Sequence, residues 1–203
     1  MTDKPRKKLL ISTGNPGKFC EIKDALAETG YEIVSIRDLE LNEDFVEIGD
    51  SHQEIAYMKA KYFYDQCKIT TLADDSGIIV DALKTELGVR TRRWGAGHDA
   101  SDKEWIDYFL KVMKDVPDAQ RTARFICCVC LIDENESHIF VGETEGVILR
   151  ELEAPIAPGL PLSSVFRPAG YDKVYSAMSL EDKNKISHRA KAMASVREYL
   201  KKL

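Results

Sequence analysis

Several short stretches of this chain hold residue types that can do chemistry on a polyanion. The first is Ser12-Thr13-Gly14-Asn15-Pro16-Gly17-Lys18. It reads as a strand entering a helix through a glycine turn, which leaves free backbone N–H groups at the positive end of the helix dipole. Lys18 falls in the first helical turn, where a cation is unfavourable for the helix itself. A phosphate held between Lys18 and the helix end reverses that penalty. The same residues also make a plain capped helix with one exposed lysine. They do not make a Walker loop, because its glycine spacing and its Lys-Ser/Thr ending are absent.

The second stretch is Ala73-Asp74-Asp75-Ser76-Gly77. Two adjacent carboxylates at the end of a strand repel each other, and a divalent cation that prefers oxygen relieves the repulsion. On an extended chain the two side chains point to opposite sides, so one can hold metal while the other holds backbone or water. A turn that uses Asp, Ser and Gly for its own hydrogen bonds is the plain alternative. Glu47 and Glu54 can add carboxylate oxygens, or be ordinary acids of a polar loop and a helix start.

The third stretch runs from Lys183 through Asn184, Lys185, Ile186, Ser187, His188, Arg189 and Ala190 to Lys191. On a continuous helix Lys183 and Ser187 share a face, Asn184 and His188 the adjacent one, and Lys185 and Arg189 a third. Five basic side chains, His188 included, thus gather near one helix. A solvated charged face is the alternative. Finally, Gly142 and Gly146 flank Glu143-Thr144-Glu145 inside an apolar strand, where glycine marks a bulge or a close backbone approach.

The elements that must position these residues follow from hydrophobic period and caps. Residues 8–13 read as a buried strand and 16–28 as a helix with Phe19, Ile22, Ala25 and Leu26 on one face. Asn15 is its N-cap and Pro16 its first residue. A strand over 32–36 completes a strand-helix-strand unit, so an α/β fold is expected. Further helices are expected over 52–66 and 101–114, the latter opened by a Ser101/Glu104 capping box. A strand over 69–73 should end at Asp74. Residues 124–133 and 138–149 form a hairpin around Asp133-Glu134-Asn135-Glu136, and prolines mark 155–168 as a loop. The tail from about 180 reads as one helix, with Ile186, Ala190, Met193 and Leu200 toward the core.

The chain has 203 residues, 44% hydrophobic and 31% charged, and carries a net charge of −5. That length suits a single domain, or two lobes sharing a core, spanning 1–203, and no linker or repeat divides it. The acidic balance excludes broad attraction to nucleic acid or to an anionic membrane, so an anionic ligand must be gathered by local basic clusters. No run approaches the roughly 18 apolar residues of a membrane helix, and the apolar run after the basic start is too short for a signal peptide. The cysteines are Cys20, Cys67, Cys127, Cys128 and Cys130, an odd number with three crowded together. Reduced, buried thiols and a cytoplasmic location are expected.

In this order the stretches STGNPGK, VEIGDSHQEIAYMKA, ADDSGIIVDAL, GETEGVI and RPAGYDKVYSAMSLEDKNKISHRAKA resemble the inosine-triphosphate pyrophosphatase family, which removes deaminated purine nucleotides. The resemblance reaches from residue 12 to about 192. It implies an elongated mixed β-sheet with two α/β lobes flanking a nucleotide cleft, a Mg²⁺ ion, and a homodimer. It implies hydrolysis of a nucleoside triphosphate to monophosphate and pyrophosphate. Thr13, Asn15 and Lys18 would then hold the triphosphate, with Lys59 nearby and Ser76, beside the acidic pair, also binding substrate. Glu47 and Asp75 would bind Mg²⁺, Asp75 would also orient or deprotonate the attacking water, and Asp74 would be a second carboxylate of the same motif. Lys183, His188 and Arg189 would contact base and phosphates, with Ser187 beside them.

Two stretches depart from the family. Its Gly-Phe-Gly-Tyr-Asp-Pro loop stacks an aromatic ring on the base, whereas this chain reads Gly159-Leu160-Pro161-Leu162-Ser163-Ser164. Both aromatics and the aspartate are gone, which implies a weakened or redirected base preference. Residues 88–94 are also more basic than usual, so Arg90, Arg92 and Arg93 either rim the cleft or are solvated. Two rival readings remain at this point. One is a nucleotide-binding or sensing protein without turnover; the other is a metal-dependent phosphatase of another fold.

Overall fold

The structure is a computed structural model that describes residues 6–83, 86–97 and 99–202, without the side chains of Arg92 and Arg93. The strand-helix-strand unit is present: β1 (Lys8–Ile11), α1 (Pro16–Ala25) and β2 (Glu32–Ser35). Next come α2 (His52–Cys67), β3 (Thr70–Val80) and α3 (Asp102–Val112). The hairpin β4 (Thr122–Ile132) and β5 (Ser137–Ile148) follows, then β6 (Phe166–Pro168), α4 (Leu180–Ile186) and α5 (His188–Leu200). Among the described residues the strands form a six-stranded sheet, in the order β2-β1-β3-β4-β5-β6. β1 pairs parallel with β2 and β3, and the remaining pairs are antiparallel, so the sheet is mixed.

The long strands β3 and β4 run through two apolar cores. Their first core takes Leu72, Cys127, Val129 and Leu131 on one face, packed under Ile22 of α1, Leu26 just after it, and Met193 and Val196 of α5. On the opposite face Ala73 and Cys130 meet Ala56 and Ala60 of α2. This alternation is the period-2 pattern of a sheet covered on both sides. Further along, Ile78, Val80 and Ala123 enter the second core with Trp105, Ile106 and Phe109 of α3 and with Phe166 and Tyr175. Asp74 to Gly77 lie where one core gives way to the other.

Three expectations about the elements are corrected. β3 does not end at Asp74 but continues to Val80, because Asp74 pairs with Val129, Asp75 with Cys128 and Ser76 with Cys127 across the ladder to β4. Long antiparallel pairing overrides the turn-like composition. The proline-marked segment is not all loop: it contains a 3-10 turn over Pro161–Ser164 and strand β6. The tail is two helices, because Ser187 takes extended backbone (φ −69°, ψ 152°) between α4 and α5. Its Oγ caps α5 by accepting the Ala190 N–H at 3.1 Å.

The caps expected at α1 and α3 are present: Asn15 Oδ1 accepts the Lys18 N–H at 3.1 Å, and the Ser101/Glu104 box is complete. Gly142 is a close approach: a Cβ there would lie 2.1 Å from the His188 carbonyl oxygen, so its absence lets α5 settle on β5. The five cysteines are free; Cys127, Cys128 and Cys130 are buried, but Cys20 is exposed and Cys67 only half-buried, contrary to expectation. Burial pushes the Cys127 and Cys130 thiols up to about 12, which keeps them as inert thiols.

Candidate active site

The changeover between the cores opens into a cleft of about 600 Å³, within the usual range for a small-molecule site. Residues far apart in the chain meet on its wall. Thr13, Asn15 and Lys18 come from the β1–α1 turn; Asp75 and Ser76 come from β3. Glu47 precedes α2 and Lys59 lies on it, while Lys183 comes from α4 and His188 and Arg189 from α5. Gly159 to Ser163 form the remaining edge. Asp74 and Ser187 are not among the described lining residues.

Their absence from the wall has a physical cause. Asp74 points to the side of β3 opposite Asp75, as the strand alternation requires, and its side chain is wholly buried. It sits 3.0 Å from Lys18 Nζ and 3.7 Å from Arg189 Nε, and accepts the Ser76 hydroxyl at 2.8 Å. It therefore braces Lys18 and Arg189, two cations that line the cleft. Ser187 is 2% exposed and spends its hydroxyl on the α5 cap.

Glu21 carries no signal in the sequence, yet it organises this side of the cleft. Its Oε1 lies 2.5 Å from Lys183 Nζ, and its Oε2 accepts from Arg189 Nη1. Burial alone would raise the Glu21 carboxyl, but Arg189 and Lys183 outweigh it and hold it below its ordinary value. Asp74 is likewise raised by burial but held well below the carboxylate range by Lys18 and Arg189. Lys18 and Arg189, though disfavoured by burial, end with raised values: Asp74 supports Lys18, and Glu21 then Asp74 support Arg189. All four groups thus stay charged. Two anions and the cations Lys18, Lys183 and Arg189 form one buried lattice aimed at the cleft.

The opposite side is acidic. Asp75 and Glu47 both line the cleft, and Lys59 Nζ donates to Glu47 Oε1 at 2.8 Å. Among the described residues no cluster of three or more His, Cys, Asp or Glu could hold an ion alone. Hard carboxylate oxygens in a site that shares the ion with substrate and water fit Mg²⁺, which usually takes only one or two protein carboxylates.

His188 is 5% exposed, and burial first, then Arg189 and Lys183, lower its value well below that of an ordinary histidine, so the ring is neutral. It stacks on Phe125, with centroids 4.7 Å apart and planes at 12°. Phe125 and Trp105 also line the cleft, a role that their sequence neighbourhoods do not signal. Asn15 is doubly committed: besides capping α1, its Nδ2 donates to the Gly159 carbonyl at 3.0 Å and ties the β1–α1 turn to the segment 159–164. Arg90 is exposed and lies off the cleft wall, bordering a separate depression with Glu47 and Trp94. The side chains of Arg92 and Arg93 lie outside the described residues.

Comparison with known proteins agrees with this architecture. The Ham1 family model matches residues 9–199. A dITP/XTP pyrophosphatase of Caldanaerobacter subterraneus subsp. tengcongensis is 35% identical, with 96% of each chain covered. One from Christiangramia forsetii is 36% identical over 96% of this chain and all of its own. The solved structure of a HAM1 protein from Coxiella burnetii superposes with a TM-score of 0.83 at 26% identity, covering 97% of this chain and all of that one. A family match across nearly the whole sequence, on the same mixed sheet, makes the phosphatase-of-another-fold reading untenable: the chain belongs to the Ham1 family.

Proposed function

We propose that this protein hydrolyses nucleoside triphosphates with deaminated or otherwise modified purines to the monophosphate and pyrophosphate, with Mg²⁺, by attack of water on the α-phosphorus. The observation that carries the reading is that Asp75 and Glu47 line the same cleft as Lys18, Lys183 and Arg189. The names of the similar dITP/XTP pyrophosphatases support the substrate class. In this reading Lys18, with Thr13 and the α1 N-terminus, holds the polyphosphate. Lys183 and Arg189 add charge, and His188 lies toward the base beside Phe125. Lys59 holds Glu47 in place, and Ser76 braces Asp74. Asp75 and Glu47 hold the metal, and Asp75 orients the attacking water. Bound Mg²⁺ neutralises the polyphosphate and polarises the phosphoryl oxygens. Catalysis is then positioning plus charge stabilisation, with no covalent intermediate.

The net charge of −5 supports a small anionic substrate rather than a nucleic acid polymer. No described helix is long and apolar enough to cross a membrane. We place the enzyme in the cytoplasm, a location that suits its five free thiols. We take it to act as a homodimer.

At the loop 159–164 the cleft offers Leu160, Pro161 and Leu162 in place of aromatic rings. An aromatic stack on a base is worth about 1–3 kcal/mol, so its loss narrows discrimination among bases. A panel of natural and modified triphosphates, assayed for both products, tests this. Pyrophosphate release is expected, with selectivity for ITP, dITP or XTP over the common nucleotides below roughly 100-fold, the upper reach of such a stack. A larger preference would contradict the altered base site, and nucleotide binding without turnover would favour a sensor.

A further inference from the structure

His52 stands behind the cleft rather than on it. It opens α2, one residue after the Ser51 cap, whose Oγ accepts the Glu54 N–H at 3.1 Å. The residue is 8% exposed, and its Nδ1 lies 2.5 Å from Asp75 Oδ2. A carboxylate only accepts, so Nδ1 carries the hydrogen and donates it. The other ring nitrogen, Nε2, is buried without a partner among the described residues. The Asp75 contact is the one hydrogen bond the described surroundings offer the ring. An apolar ring would fill this space without leaving a nitrogen unmet, so packing alone does not account for a histidine here.

The backbone of β3 makes room for it. A Cβ at Gly77 would stand 2.7 Å from His52 Cε1 and 2.4 Å from the Gly88 carbonyl oxygen, so a side chain there would displace the ring. The strand therefore lacks a side chain two residues beyond Asp75, where the imidazole must approach. Gly77 and the start of α2 fix the ring from two directions.

We propose that His52 is a positioning residue for the metal-binding carboxylate. By engaging Oδ2 it fixes the rotation of Asp75 and leaves Oδ1 as the oxygen presented to the cleft. The inference rests on the reading of Asp75 as a metal ligand. Mg²⁺ demands near-octahedral geometry at short distances, so a ligand free to rotate binds it poorly. Lys18 also attracts the Asp75 carboxylate. Without His52 that pull is unopposed by a hydrogen bond from the α2 side.

The test compares His52→Leu, which removes the donor, with His52→Asn, whose amide nitrogen can stand near the Nδ1 position. Mn²⁺ binding to the nucleotide-free protein is read by electron paramagnetic resonance, and the Mg²⁺ requirement by activity. His52→Leu should lose about 10–100-fold in Mn²⁺ affinity, the usual effect of removing a partner of a metal ligand. Its half-saturating Mg²⁺ should rise in parallel, while nucleotide KM at saturating Mg²⁺ moves by less than about threefold. His52→Asn should recover most of the affinity. The Leu variant removes an unmet nitrogen but leaves the buried Asp75 oxygen without its donor, so its unfolding temperature should fall by a few degrees at most, and both variants should stay folded at the assay temperature. Unchanged Mn²⁺ affinity in His52→Leu would overturn the proposal. So would equal losses in the two variants, or a wild-type protein that takes up no Mn²⁺. The proposed activity fails separately, if the wild-type enzyme releases no pyrophosphate from any nucleotide.

Discussion

Asp75→Asn should lower kcat by at least about 10²-fold, as expected when a metal ligand that also orients the nucleophile loses its charge. The residue is 7% exposed on the cleft wall, with one oxygen engaged by His52. An asparagine keeps the volume and can still meet His52 through its carbonyl oxygen, so the fold should persist and the unfolding temperature should stay close to wild type. What it cannot supply is a second anionic oxygen toward the cleft. The cationic wall of Lys18, Lys183 and Arg189 is untouched by the change, and nucleotide should still bind. Steady-state kinetics with a thermal melt on the same sample check both halves. Near-normal turnover in a folded variant would remove Asp75 from its assigned role.

Glu21→Gln should be the most damaging single change to stability. The carboxylate lies between Lys183 and Arg189, with side chains 10% and 3% exposed. An isosteric amide cannot neutralise either cation and turns an N–H₂ group toward one of them. Leaving one member of a buried ion pair uncompensated costs about 3–5 kcal/mol, which for a chain of this size lowers the unfolding temperature by roughly 10 °C. Because both cations line the cleft, nucleotide KM should rise as well. The pH dependence has a definite sign. The Glu21 carboxyl is lowered in the folded protein, so its contribution is complete above the ordinary value of 4.5 and is lost as pH falls toward the lowered one. The stability gap between wild type and Glu21→Gln should therefore be constant from neutral pH down to about 5 and shrink below 4.5. A variant within about 1 kcal/mol of wild type at neutral pH would mean the two cations find other partners.

Much of this site is legible in the amino-acid sequence, because its signals are local. Asn15 followed by Pro16 marks a helix start through chemistry confined to one turn, and so does Ser101 with Glu104. The alternation of Asp74 and Asp75 follows from strand geometry alone, and sends one to the cations and the other to the cleft. What the sequence hides depends on distance in the chain. Glu21 meets Lys183 and Arg189 across 162 and 168 residues, and nothing in its neighbourhood distinguishes it from a surface acid on α1. His52 reads as an ordinary first-turn residue until β3 is laid beside it. The break at Ser187 is masked because apolar residues keep helical spacing across it, and the only local sign is a serine without an acid three residues on. Phe125 sits on a strand rich in apolar residues, so its place on the cleft wall comes from the changeover between two cores rather than from its own segment.

The central claim is that water attacks the α-phosphorus and pyrophosphate departs. Turnover of dITP in ¹⁸O-labelled water, with mass spectrometry of the products, tests it most directly. The label should appear in the nucleoside monophosphate, with none in the pyrophosphate. Label in pyrophosphate, or in orthophosphate released beside a diphosphate, would show attack at another phosphorus and contradict the arrangement of the cleft proposed for Asp75, Lys18 and Arg189.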